Sequence, residues 1–173
     1  MFTIEPCCTQ KHWLQLRNKI KDGRTVFFQG YGDFSLADLF PVVMQRYAET
    51  DILFVCPALP DRTAELLMKW LRKRWLTTNG RERMDVIHHL TIITDLNTKK
   101  SPVASGWLAK NPYPERLTLC NVQQNDTAIF LPDLVIAGNI NLVPRGHFTA
   151  MVSGDKKFIE NLKEAYTAQI ASS

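Results

Sequence analysis

No stretch of this sequence is apolar for long enough to span a bilayer, and no N-terminal segment joins a basic start to a long hydrophobic run. Neither a membrane-spanning helix nor a signal peptide is expected, and no membrane partner. Cysteine is sparse, with Cys7, Cys8, Cys56 and Cys120 the only four. Adjacent Cys7 and Cys8 have no second pair at ligand spacing, which argues against a zinc site, and a bridge between neighbours would be strained. Cys56 and Cys120 lie in apolar runs and read as buried thiols. A reducing, cytoplasmic setting is the resulting expectation, with no metal and no cofactor. Internal repeats, low-complexity tracts and linkers are also missing, so one domain over residues 1–173 is expected.

What is present suits a folded core. Hydrophobic residues make up 45% of the chain, enough to fill an interior, and a 22% charged fraction argues against wholesale disorder. The formal net charge is +4 and the pI about 8.9. That excess permits a nucleic acid or another phosphate-bearing partner without requiring one.

Hydrophobic patterning alternates between extended and helical stretches. Helices are expected near 9–21, from Ser35 towards Tyr47, over Thr63 to Trp75, over Pro102 to Lys110 and over Asp155 to Gln169. In the third, Leu67, Leu71 and Trp75 recur every four residues and give a core-facing stripe. In the last, Asp155 is the expected N-cap, and Phe158, Ile159, Leu162 and Tyr166 the buried face. Strands are expected over Thr25 to Gln29, Asp51 to Ala58, Val86 to Thr94, Arg116 to Val122, Thr127 to Leu131, Leu134 to Ala137 and Phe148 to Val152. Strand–helix alternation in the first half implies parallel pairing, and closer succession in the second implies hairpins. The expected fold is α/β, a mixed β-sheet flanked by helices on both faces.

Four features could carry chemistry. Arg62, Lys69, Arg72 and Lys73 read as one basic helical face able to meet a phosphate backbone, with Trp70 and Trp75 on the core side. His88 and His89, adjacent in a strand, point to opposite faces and cannot share a metal; one is expected buried and hydrogen-bonded. Gly30 to Ser35 resembles a phosphate-cradling turn but lacks a further glycine, so a tight turn is the better reading. Asp95, Asp126 and Asp133 could stand together at strand ends and bind a metal or share a proton, though turn aspartates are the better reading.

The most informative run is Asp126-Thr-Ala128-Ile-Phe-Leu-Pro-Asp133, followed by Gly138-Asn139-Ile-Asn141 and then Arg145 and His147. Its spacing resembles one half of the phospholipase D-like superfamily over about residues 51–170, with 1–50 as an N-terminal helix–strand–helix part of the same domain. That family carries His-x-Lys-x4-Asp on one strand and Gly-Ser-x-Asn on the next, often followed by Asn-x-Glu. The histidine position falls on Asp126, the lysine on Ala128 and the aspartate on Asp133. Gly138 and Asn141 match, Asn139 replaces the serine, and His147 and Thr149 take the Asn-x-Glu places.

The resemblance implies a mechanism that these residues cannot perform. In the family, two histidines from paired half-sites attack phosphorus and protonate the leaving oxygen, while lysines hold the phosphoryl oxygens. An aspartate would repel the phosphate, and an alanine offers no donor. No phosphodiester cleavage is expected, and Asp133, Gly138 and Asn141 would persist as turn and hairpin formers. Half-length members of the family pair two copies, so the resemblance also implies a homodimer. Three readings follow: a non-catalytic binding protein using the basic face and the Arg145–His147 turn; an enzyme of altered chemistry with His147, Asp126 and Asp133 in one cleft; and a scaffolding subunit with a large apolar interface.

Overall fold

The computed structural model describes residues 4–7, 20, 23–30, 47, 49–76, 83–96, 102, 106, 110–139 and 148–171. The helices expected near 9–21, 35–47 and 102–110 lie largely outside these, as do residues 31–35, Asn141, Arg145 and His147.

The strands are apolar runs bounded by turn residues, apart from two short segments that carry charged residues. These are β1 (Ile4–Cys7), β2 (Thr25–Gly30), β3 (Thr50–Cys56), β4 (Arg74–Leu76), β5 (Arg83–Asp85), β6 (Ile87–Thr94), β7 (Leu117–Asn121), β8 (Thr127–Leu131), β9 (Leu134–Asn139) and β10 (Phe148–Ser153). Eight form one sheet in the order β1-β2-β10-β9-β8-β3-β6-β7, and β4 pairs β5 separately. The pairs β1–β2, β3–β6 and β6–β7 are parallel. β8 runs against both β3 and β9, and β10 against both β9 and β2. The C-terminal ends of six strands and the starts of β8 and β10 therefore share one sheet edge, here the motif edge.

Strand alternation divides the core between two helices. Ile52, Phe54 and Cys56 of β3 face the cluster containing Leu67 and Leu71 of α1 (Asp61–Leu71). Leu53 and Val55 face the other side, with Ile159 of α2 (Lys156–Ala171). Helices thus cover both faces of a mixed sheet, as the sequence pattern implies. Burying Leu67 and Leu71 is worth about 2 kcal/mol each.

Several boundaries differ from expectation. The helix read as far as Trp75 ends at Leu71, and Trp75 belongs to β4. The backbone N–H of Arg72 reaches Met68 O at 3.1 Å and that of Lys73 reaches Trp70 O at 3.0 Å. Lys73 O then accepts from Val86 N at 3.0 Å, so tertiary pairing overrides the four-residue apolar recurrence. On α2, Asp155 caps as expected, its Oδ1 accepting from Phe158 N at 3.2 Å. Phe158 itself is 36% exposed, however, and Ile159 is the deeply buried neighbour at 7%.

Candidate functional site

The motif positions sit on three adjacent strands. Ala128 of β8 lies opposite Ala137 of β9 and Val55 of β3. Its exposure is 0%, and it belongs to the apolar cluster with Phe130, Val135 and Ile159, onto which Leu162 and Tyr166 pack. The position where the family resemblance places a phosphate-holding lysine is therefore interior, on the sheet face that α2 covers. Its side chain is a methyl group with no route to a ligand.

Asp126 precedes β8 and is exposed at the motif edge. Its charge reaches Tyr166 on α2: burial pushes that phenol above its ordinary value, and the Asp126 carboxylate pushes it further. Tyr166 also meets Phe130 edge-on, with ring centroids 5.9 Å apart at 71°. A half-buried tie holds the approach to β8, where Gln124 Nε2 donates to Gln169 Oε1 at 2.8 Å. Asp126 thus adds negative charge at the position that the family resemblance gives to a histidine, the wrong sign for a phosphate.

Gly138 is not the turn former that its composition suggests. It lies within β9, opposite Thr127 and Ala150, with φ of +140°. A Cβ there would stand 2.5 Å from Thr149 O and 2.9 Å from Ala150 Cα, both main chain. Glycine lets β9 and β10 close in spite of this backbone conformation. Asn139 pairs with Thr149 in the β9–β10 ladder.

Asp133 does occupy a turn, between β8 and β9, where the Tyr47 hydroxyl donates to its Oδ1. That turn is at the far end of the strands. Asp126 and Asp133 flank the five residues of β8 and stand roughly 20 Å apart by strand rise. Asp126 and Asp133 therefore do not share the one cleft expected to hold them with His147, a residue outside those described. Asp95 follows β6 on the motif edge. No group of three acidic, histidine or cysteine side chains among the described residues could hold a metal ion.

The histidine pair also departs from expectation. Thr50 pairs Ile87 while Asp51 pairs His89, so His88 is an additional residue in β6. Neither ring is buried, and both are bonded: His88 Nδ1 lies 3.0 Å from Asp51 Oδ1, and His89 Nε2 lies 2.8 Å from Thr118 Oγ1. Cys56, near the motif edge, is a buried thiol pushed up to about 12 by burial, with the hydroxyl of Thr94 at 3.4 Å pulling the other way. It stays protonated at neutral pH and is no nucleophile.

The basic residues are not one helical face. Arg62 and Lys69 are exposed on α1, Arg72 caps its C-terminus, and Lys73 follows it with Nζ 4.3 Å from the centre of the Trp70 ring. Arg62, at the start of α1, is roughly 15 Å from Arg72 by helical rise. The crossover from β3 puts the helix start near the motif edge and its end near the opposite edge.

Sequence reading missed the partners that organise this second edge. Arg72 Nε donates to Tyr113 Oη at 2.7 Å. Arg116 donates to Leu71 O at 2.9 Å, to Ile87 O and to His88 O, and lies 3.5 Å from Asp85 Oδ2. Arg74 Nε reaches Asp85 Oδ1 at 2.8 Å. These contacts span 11 to 45 residues in sequence, so no local pattern announces them.

No protein-family model and no curated protein matches the sequence. Among solved structures the chain is similar to TrmBL2, an archaeal chromatin protein whose structure shows a novel mode of DNA binding. That match has 13% identity and a TM-score of 0.51, covering 92% of this chain and 57% of the other. The chain thus spans little more than half the length of TrmBL2. It is also similar to NucT from Helicobacter pylori, with 16% identity, a TM-score of 0.54, and coverage of 86% of this chain and 98% of that one. Likeness at such identities is a likeness of fold, and together with the sheet order and the two covering helices it shows that this chain has the fold of a phospholipase D-like half-unit.

Proposed function

We propose that the chain is a phospholipase D-like module without phosphodiesterase chemistry, with a binding role towards nucleic acid. The observation that carries the first half is Ala128, a methyl group wholly inside the core where the family mechanism needs an ammonium at a ligand. Asp126 supports the same reading, since it raises rather than neutralises negative charge at that edge. The binding half draws on the net charge of +4, on the exposed cations Arg62, Lys69 and Arg72, and on the likeness to a chromatin protein described as binding DNA. Arg145 and His147 remain part of the proposal on sequence grounds. A homodimer, with each chain a single domain over 1–173, is proposed from the family resemblance. Light scattering of the pure protein checks the dimer.

The altered-chemistry reading loses its support with Asp126 and Asp133 at opposite ends of β8. The scaffolding reading calls for a broad apolar surface, and Phe158 is the one exposed large hydrophobic side chain among the described residues.

Two assays on one preparation test the proposal. Bis(p-nitrophenyl) phosphate should not be turned over, and labelled DNA or RNA should be retained at low salt. Arg72→Glu combined with Lys73→Glu should weaken that retention. Turnover abolished by substitutions in β8 and β9 would overturn the first half, and absence of any retention by the parent would overturn the second.

A further inference from the structure

The corner where α1 ends carries five cations within six residues of chain and one neighbouring turn: Lys69, Arg72, Lys73, Arg74 and Arg116. They are not equivalent. Arg74 and Arg116 are both drawn to Asp85, and Arg116 also holds three main-chain carbonyls. Lys73 lies over the Trp70 ring. Arg72 is the exception. Its Nε is bonded to Tyr113 Oη, its guanidinium carbon stands 5.7 Å from the centre of the same ring, and its two terminal nitrogens have no protein partner among the described residues. Lys69, one turn earlier, is exposed.

An arginine held along one side and unengaged at its fork has lost much of its rotamer freedom before any ligand arrives. Such a fork matches the paired oxygens of a phosphodiester. Of the aromatic side chains described at this corner, Trp70 is buried and Tyr113 already lies against Arg72, so neither is an open platform for bases. Single-strand binding relies on such platforms. Duplex backbone contact does not.

Resting on the nucleic-acid reading above, we propose that the α1 corner, on the sheet edge opposite the motif, is a sequence-independent contact for the phosphate backbone of duplex DNA. Arg72 and Lys69 make the contact, and Tyr113 acts as the positioning residue for Arg72. Glu115, exposed two residues from Tyr113, opposes an anion and keeps the affinity modest.

The test is fluorescence anisotropy of a short labelled duplex over a salt series, with two unrelated sequences. Arg72→Ala should reduce the slope of log K against log salt by about 0.9. Arg74→Ala should leave that slope unchanged. Tyr113→Phe should weaken binding about fivefold in the parent and not at all in an Arg72→Ala background, whereas a merely structural role would act in both. Thermal unfolding of each variant separates loss of fold from loss of contact. If the parent binds duplex but the Arg72 and Tyr113 variants match it, this placement is wrong while the nucleic-acid reading stands. A parent that binds no duplex removes this contact, and removes the nucleic-acid reading as well only when single-stranded DNA and RNA are also not retained; strong preference for one sequence overturns the backbone-only contact.

Discussion

Ala128→Lys puts back the ammonium that the family motif requires, and the structure predicts that the fold rejects it. The site is 0% exposed and belongs to the cluster with Ile159. A lysine buried there loses its hydration, which lowers such an amine by about 3–5 units and costs about 4–7 kcal/mol. Fitting the longer chain between β8 and α2 adds about 1–3 kcal/mol of overpacking. The side chain recovers part of this by reaching towards solvent past the α2 end. A net loss of about 5 kcal/mol remains, comparable to the whole stability of many domains. Urea denaturation followed by circular dichroism measures it, with Ala128→Met as the partner variant that bears the overpacking without the charge. The Met variant should lose about 1–3 kcal/mol and the Lys variant clearly more. The double change Asp126→His with Ala128→Lys should not hydrolyse bis(p-nitrophenyl) phosphate. A double variant of parental stability that turns this substrate over would refute the reasoning, since position 128 would then open onto a cleft.

Gly138→Ala should lose roughly 3 kcal/mol or more, from the positive φ and the main-chain clash with Thr149 and Ala150; a midpoint shift in urea at unchanged slope reads it. Ile159→Ala should cost about 2–4 kcal/mol and Phe158→Ala, at a position about one-third exposed, clearly less, a contrast that thermal unfolding resolves. The Cys56 thiol has its folded value raised from an ordinary 9.0 to about 12. Its contribution is therefore complete below pH 9.0 and is lost as pH rises towards 12, by as much as about 4 kcal/mol. Tyr166, also held up, loses in the same direction. Cys56→Ala should flatten the fall in urea midpoint between neutral and alkaline buffer; an identical fall in both proteins would exclude the thiol as a cause.

The architecture was legible wherever a segment is buried on both faces. β3 reads as an apolar strand over Asp51 to Ala58, and the structure runs it from Thr50 to Cys56, stopping two residues earlier, before Pro57. The five residues of β8 were bounded correctly, because Asp126 and Pro132 flank an uninterrupted apolar stretch. Failures came where a distant partner decides. Trp75 continues the periodicity of α1, yet β4 leaves to pair with β5, with Trp75 opposite Met84. His88 and His89 look like ordinary alternation until the shifted pairing with β3 inserts an additional residue. Motif spacing says nothing of orientation, so the burial of Ala128 emerges only with the sheet, although the strand length that parts Asp126 from Asp133 is already in the sequence pattern. Tyr113 sits in a polar turn with no periodic signal, and its bond to Arg72, 41 positions earlier, depends on the chain folding back.

The insertion of β10 between β2 and β9 bears on the order of assembly. Thr25 pairs with Ser153, and their hydroxyls meet at 2.8 Å across 128 residues of chain. β1 contacts the sheet only through β2 among the described strands, so both await the last strand before they can join. Closing a loop of that length precedes any reward from the pairing, which places the early segment among the latest to dock and slows refolding towards milliseconds or longer. During synthesis that early segment must leave the ribosome and wait, its inner strand edge unsatisfied, until β10 has emerged.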